Sequence, residues 1–251
     1  MSDASGKPGR DCPRCPRLKA FRDDWRRREP DWFNAPVASF GRRDARLLIV
    51  GLAPGLRGAN RTGRPFTGDY AGDLLYETLK RFKFARGSYA ARPDDGLTLV
   101  DARITNAVRC VPPENKPTTA EIKTCRTFLE ATIAEMRNLR AIVTLGRISH
   151  ESTVVALNQR RAAAPFGHGA SHEIGKLRLF VSYHCSRYNT NTGVLTPKMF
   201  QDVFASARAF LDADGAIARQ RPGKRAPPRI HLETSSASAR PCWCCSASSD
   251  S

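Results

Sequence analysis

Three polar segments of this 251-residue chain hold side chains able to make or break bonds. The first runs from Gly51 to Gly72, GLAPGLRGANRTGRPFTGDYAG, and its one carboxylate is Asp69. A carboxylate there is either the N-cap of a following helix or a group that faces a ligand. The second is Thr105–Cys110, TNAVRC. The third is His184–Thr196, HCSRYNTNTGVLT. A histidine followed by Ser, Asn and Thr offers donors that suit phosphates and base edges, and equally an Asx/Ser turn beside an idle imidazole. Glycines let a backbone approach a ligand closely, so the first segment reads generically as a phosphate cradle. It lacks both GxGxxG and GxxxxGK[ST], however, and supplies Arg57, Arg61 and Arg64 with no lysine before Lys80. A nucleotide cofactor is therefore not expected.

Eight cysteines add a second kind of chemistry. A secreted disulfide scaffold would be smaller and denser in cysteine, so a cytoplasmic protein is the better reading. Cys12 and Cys15 form CPRC, and Cys110 and Cys125 follow far along the chain. Four soft thiolates suit iron–sulfur or zinc, and spacing alone does not decide between them. A zinc ribbon usually shows two close pairs, which Cys110 and Cys125 do not provide. Cys242, Cys244 and Cys245 lie in a Ser/Ala-rich tail with no second ligand pair nearby, and read as ordinary tail residues.

The elements that must position these groups can be read from apolar patterning. RLLIVG (Arg46–Gly51), the run within Leu97–Arg109, LRAIVTLG (Leu139–Gly146) and LRLFVSYH (Leu177–His184) are short apolar strands. Helices are expected over about 16–28 (Leu18, Phe21 and Trp25 at helical spacing), Asp73–Phe84, from a Thr118 or Thr119 cap to about Arg137, over HESTVVALNQ, and over Pro197–Asp214. Strands alternating with helices predict an α/β protein, a three-layer α/β/α sandwich around a central four-stranded, mainly parallel sheet. In such sheets ligands sit beyond the carboxyl ends of the strands, where all three polar segments fall. Residues 1–11 read as a flexible N-terminus, 12–214 as the folded domain and 215–251 as a disordered basic tail. No run of about 18 apolar residues or signal-peptide pattern is present, so neither a membrane span nor secretion is expected. Lys+Arg number 41 against 24 Asp+Glu, a net charge of +17. Such a surplus speaks of polyanionic partners, DNA or RNA first, although an arginine-rich composition alone also produces it.

Taken together, the segments resemble the uracil-DNA glycosylase superfamily, and within it family 5, the type-B uracil-DNA glycosylases. The first segment is similar to the first family motif through most of its length, ITNAVRCVPPENKP to the middle motif, and HCSRYNTNTG to the third, usually HPSxxNTxTG. The cysteine pattern resembles the cluster-binding set shared with family 4. The resemblance spans about residues 12–210.

It implies a monofunctional hydrolase that flips uracil, and other deaminated bases such as hypoxanthine, out of double-stranded or single-stranded DNA. Such an enzyme cuts the N-glycosidic bond and leaves an abasic site. By the same resemblance Asp69 orients the attacking water and stabilises the cation-like sugar, and His184 hydrogen-bonds the departing base. Phe66 stacks on that base, Asn106 reads its Watson–Crick edge, and Gly51, Leu52 and Ala53 approach it with backbone. Ser186 and Asn189 contact DNA. Cys12, Cys15, Cys110 and Cys125 hold a structural 4Fe–4S cluster. A monomer is the expected state. Two positions depart from related patterns: Leu52 stands where family 4 carries Glu (GEAPG), which leaves the carboxylate role to Asp69, and Cys185 replaces the usual Pro of the third motif. Rival readings are a cluster-bearing DNA-binding module without catalysis and a nucleotide-binding hydrolase.

Overall fold

The computed structural model describes residues 6–220, with side chains described to residue 216. The central sheet has six strands, not four. The four apolar runs form its parallel core: β2 (Leu47–Gly51), β5 (Ala102–Asn106), β6 (Ala141–Leu145) and β8 (Leu177–Ser182). Two short strands, β1 (Phe40–Gly41) and β7 (Ser171–Ile174), add antiparallel edges, giving the order β1-β5-β2-β6-β8-β7. Their brevity and half-polar pattern hid them from an apolar-run reading. A separate two-stranded hairpin pairs β3 (Ala85–Arg86) with β4 (Thr98–Leu99).

Alternation along each core strand divides the interior into two layers. Leu47 and Ile49 of β2 pack with α3 (Tyr70–Arg81) and α7 (Pro197–Gln220), through Leu75, Leu79, Phe200 and Phe204. Leu48 and Val50 pack the opposite way, with α4 (Thr119–Glu135) and α5 (Arg147–Ala156), through Leu129 and Val154. Every residue of β2, β5 and β6 is buried, as strands covered on both faces must be.

The remaining helices are α1 (Pro16–Arg28), α2 (Ala59–Thr62) and α6 (Arg187–Asn191). α3 begins three residues before the apolar pattern does, because Asp69 caps it from Tyr70 onward. Thr118 caps α4 in a reciprocal box with Glu121, satisfying two orphan N–H groups. Glu121 also takes a bidentate pair from Arg17, at 2.8 Å to each oxygen, which fastens α1 to α4. α7 runs on to Gln220, past the boundary read from composition. The rest of the predicted tail, with its three cysteines, lies outside the described residues. Within the predicted N-terminal segment, Asp11 and the Arg10 carbonyl accept hydrogen bonds from Arg26. Among the described residues no helix is long and apolar enough to cross a membrane.

β5 lies on one side of β2 and β6 on the other. Strand order therefore reverses at β2, and the crevice beyond its carboxyl end is where a ligand is expected.

Candidate active site

The loop that leaves β2 is anchored before it reaches any ligand. Arg64, 5% exposed, makes a bidentate ion pair with Asp95 at 2.8 and 2.7 Å, and Asp95 also accepts from the Ala90 and Leu97 amides. Arg64 is therefore a structural cation buried among Phe40, Tyr76 and Tyr89, not one free to meet a phosphate. Tyr76 and Tyr89 donate to the Pro65 and Phe66 carbonyls. These contacts hold Phe66 at φ +53°, a conformation rarely taken by an aromatic residue, so the surrounding structure carries a local strain.

A cavity of about 540 Å³ opens beyond the sheet at this point. Leu52, Ala53, Phe66, Asp69, His184 and Ser186 line it, together with Gly55, Tyr70, Ala71, Asn115 and Arg187. Asp69 and His184, delivered by separate loops, thus share one cavity. Phe66 and His184 stack at its wall with ring centres 6.4 Å apart.

Asp69 does two jobs. Its Oδ1 accepts from the Gly72 amide at 3.2 Å and caps α3. Its Oδ2 faces the glycine loop, and a Cβ on Gly55 would stand 2.7 Å from it, while one on Gly58 would collide with it. Only glycine lets the chain pass so close to the carboxylate. The Ala71 amide also faces the carboxylate. Burial raises the Asp69 carboxyl above its ordinary value, opposed by the Gly72 amide and reinforced by Asp73. A raised but ionisable carboxylate is suited to taking a proton from water.

His184 sits just past β8, and burial pushes its imidazole down to about 4. It is therefore neutral at physiological pH and keeps one N–H to donate. Asn189 donates from Nδ2 to the His184 carbonyl at 2.8 Å, and Ser186 caps α6 by accepting from the Asn189 amide. Asn189 thus points at the histidine backbone and does not line the cavity, whereas Ser186 does. The Asn189 side-chain amide helps to set the His184 loop.

Gly51 and Asn106 also lie off the cavity wall. They pair across β2 and β5, and a Cβ on Gly51 would meet both the Phe66 ring edge and Asn106 Oδ1. Among the described residues that oxygen is buried with no hydrogen-bond partner. An orphaned acceptor beside Gly51 and near the Phe66 ring edge is costly unless a donor satisfies it.

Pattern reading missed Tyr70, Asn115 and Arg187 as cavity residues. Arg187 and its neighbour Tyr188, 75% exposed, stand inside the quoted third segment, but nothing in a lone sequence separates side chains that face a cavity from those that face water. Cys185 is fully buried, its thiol directed at the Ala71 carbonyl at 3.6 Å, so it packs between the His184 loop and the start of α3.

The four cysteines singled out above converge on a second, smaller cavity between α1 and α4. Cys12, Cys15, Cys110 and Cys125 line it with Leu18, Arg22, Arg109 and Phe128. All four are free thiols. Among the described residues no three Cys, His, Asp or Glu side chains close on a single metal ion. A multi-iron cluster asks for a wider arrangement, since each thiolate binds a different iron. The charges around the cavity fit an anionic group. Arg22, 1% exposed, donates to Cys110 Sγ at 3.3 Å, and the Arg109 amide donates to Cys125 Sγ at 3.2 Å. Both guanidiniums are buried, neither forms an ion pair among the described residues, and the Nε of each lacks a partner. Burial first, reinforced by the neighbouring cysteines and opposed by Arg22 and Arg109, pushes the Cys110 thiol up to about 12 and that of Cys125 to about 11. Metal coordination deprotonates such thiols outright and would supply the negative charge that the two arginines lack.

Residues 38–208 match the Uracil DNA glycosylase superfamily. A type-5 uracil-DNA glycosylase of Thermus thermophilus is 43% identical over 78% of this chain and 92% of its own length. One from Mycobacterium bovis is 42% identical over 78% of this chain and 77% of its own. A type-4 uracil-DNA glycosylase of Pyrobaculum aerophilum is 32% identical over 60% of this chain and 63% of its own.

Proposed function

Because this chain belongs to the uracil-DNA glycosylase superfamily, a group of DNA-repair hydrolases, we propose that it removes uracil and further deaminated bases from DNA in the manner of the type-5 enzymes it resembles. The observation that carries this reading is the shared cavity: a carboxylate and a neutral imidazole from two loops, beside an aromatic ring whose edge lies near an amide oxygen unpartnered among the described residues.

The chemistry follows from where charge develops. A base inside a duplex is out of reach, so it swings into the cavity, at a cost of a few kcal/mol that is least for a mispair. Phe66 offers a face for stacking, and Asn106 Oδ1 offers the acceptor that a base N–H would satisfy. Breaking the glycosidic bond leaves positive charge on the sugar and negative charge on the base. His184, neutral and a donor, stabilises the base oxygen on which that charge collects. Asp69 Oδ2 orients a water at the sugar carbon, takes its proton and stabilises the cation. No covalent enzyme intermediate is needed, which makes the reaction a single hydrolysis that leaves an abasic site. The cavity volume of about 540 Å³ leaves room for purine lesions such as hypoxanthine as well as uracil. The positive surplus suits a DNA partner.

Cys12, Cys15, Cys110 and Cys125 would hold a 4Fe–4S cluster. Bound there, it would cross-link α1 to the segment after β5 and to α4, and hydrolysis asks no electron of it.

Single-turnover excision on a uracil-containing duplex tests the assignment. Asp69→Asn is expected to slow excision by on the order of 10² or more while DNA affinity stays near wild type. A wild-type rate in Asp69→Asn would remove the carboxylate from the reaction. A panel of lesions in the same assay, hypoxanthine included, reads the breadth of the cavity.

A further inference from the structure

Of the two buried guanidiniums at the cysteine cavity, Arg22 is the one that donates to a cysteine sulfur. Arg22 is buried to 1%, yet no carboxylate pairs with it among the described residues. A buried guanidinium without a counter-charge is strongly destabilising. Two of its nitrogens are used: Nη1 donates to Cys110 Sγ at 3.3 Å and Nη2 to the Cys12 carbonyl at 3.1 Å. Nε has no partner. Its planar fork therefore spans one ligand from each half of the four-cysteine set, one on the N-terminal segment and one after β5.

We propose that Arg22 is the outer-layer cation of the cysteine-held cluster, neutralising its thiolates and fixing the Cys110 sulfur by an N–H···S bond. This rests on the four-cysteine reading above. Arg22 arises from α1, whose attachment to α4 is made separately by Arg17 and Glu121. The helix can therefore stay docked when Arg22 is changed, and electrostatic and packing roles can be separated. A positive charge and a hydrogen bond at a cluster sulfur both favour the more reduced, more negative state. Losing them should shift the reduction potential downward and loosen the cluster.

The test uses the full chain purified without oxygen. Iron and acid-labile sulfide are counted first, then the reduction potential is measured by voltammetry and cluster loss is followed by absorbance in excess bathophenanthroline. Arg22→Met keeps the length and apolar stem without the charge. It is expected to fold, to show a potential displaced to more negative values, and to lose its cluster several-fold faster than wild type. Should Arg22→Met not fold, Arg22→Lys carries the test: charge kept and fork lost, it should hold a potential closer to wild type yet still release iron faster. A purely structural Arg22 would lower the melting temperature but leave the potential where it was, and that outcome overturns the proposal. A wild-type chain without iron and sulfide overturns the cluster reading and this inference with it, whereas an iron-replete wild type with unaltered variants overturns the inference alone.

Discussion

Asp69 shows how one carboxylate can be structural and chemical together. One oxygen satisfies an orphan amide of α3, and the other is left facing a loop that only glycine can bring so close. Reading it as either a cap or a ligand-facing group poses a false choice, because a carboxylate has two oxygens. Gly51 follows the same steric logic. A methyl group there would press on the Phe66 ring edge and on Asn106 Oδ1 together. Gly51→Ala is expected to fold, since the extended backbone at the end of β2 accepts alanine, but to lose excision by on the order of 10² through displaced stacking and base-reading groups, as single-turnover rates will show. His184 carries a pH signature. Its value falls from 6.5 in the unfolded chain to about 4 in the folded one. Between those limits the unfolded state binds more protons, so this contribution to stability is complete above about pH 6.5 and is lost as pH falls toward 4. Urea midpoints at pH 4.5 and pH 7 should differ less in His184→Asn than in wild type.

At the scale of elements, the hairpin formed by β3 and β4 matters more than its two-residue strands suggest. The segment between them supplies Tyr89 and Asp95, which clamp the loop that bears Phe66. The Arg64–Asp95 pair is buried on both sides, 5% and 1% exposed, so removing one partner strands a charge. Asp95→Ala is expected to cost about 3–5 kcal/mol of unfolding free energy, measured by denaturant titration. A shift under 1 kcal/mol would mean that the loop is held by other contacts. The loop after β8 is organised differently. Ser186 caps α6, and Asn189 reaches back to the His184 carbonyl, so the short helix is a bracket for one histidine. Its exposed Tyr188 and the cavity residue Arg187 are then presented at the mouth.

For the whole molecule, the reversal of strand order at β2 brings three loops to one crevice, and the chain as a whole carries a surplus of positive charge. Binding to DNA should therefore weaken steeply with salt. For about six to ten phosphate contacts the affinity is expected to fall by on the order of 10³ or more between 50 and 200 mM, read from fluorescence anisotropy on a labelled duplex. A shallow slope would place the arginines in internal ion pairs instead. Many are so engaged, among them Arg46 with Asp101 and Arg103 with Glu135, and the net charge of +17 is what remains after every carboxylate is set against a cation.

The parallel core, most helix positions and the gathering of Asp69 and His184 near one end of the sheet were legible from residue order, because apolar runs of strand length and capping residues are local signals. The edge strands β1 and β7 were not, since short half-exposed strands carry no distinctive pattern. Neither was the division of labour within the motifs. Local pattern left Arg64 in an open polar loop, yet it is buried against Asp95, and nothing in the third motif announced that Asn189 holds the His184 backbone. Which way a polar side chain points depends on partners far along the chain, and Arg22 reaching Cys110 is the plainest case. Local sequence determined which chemistry was within reach, and long-range packing alone decided which groups were desolvated, oriented or left without a partner.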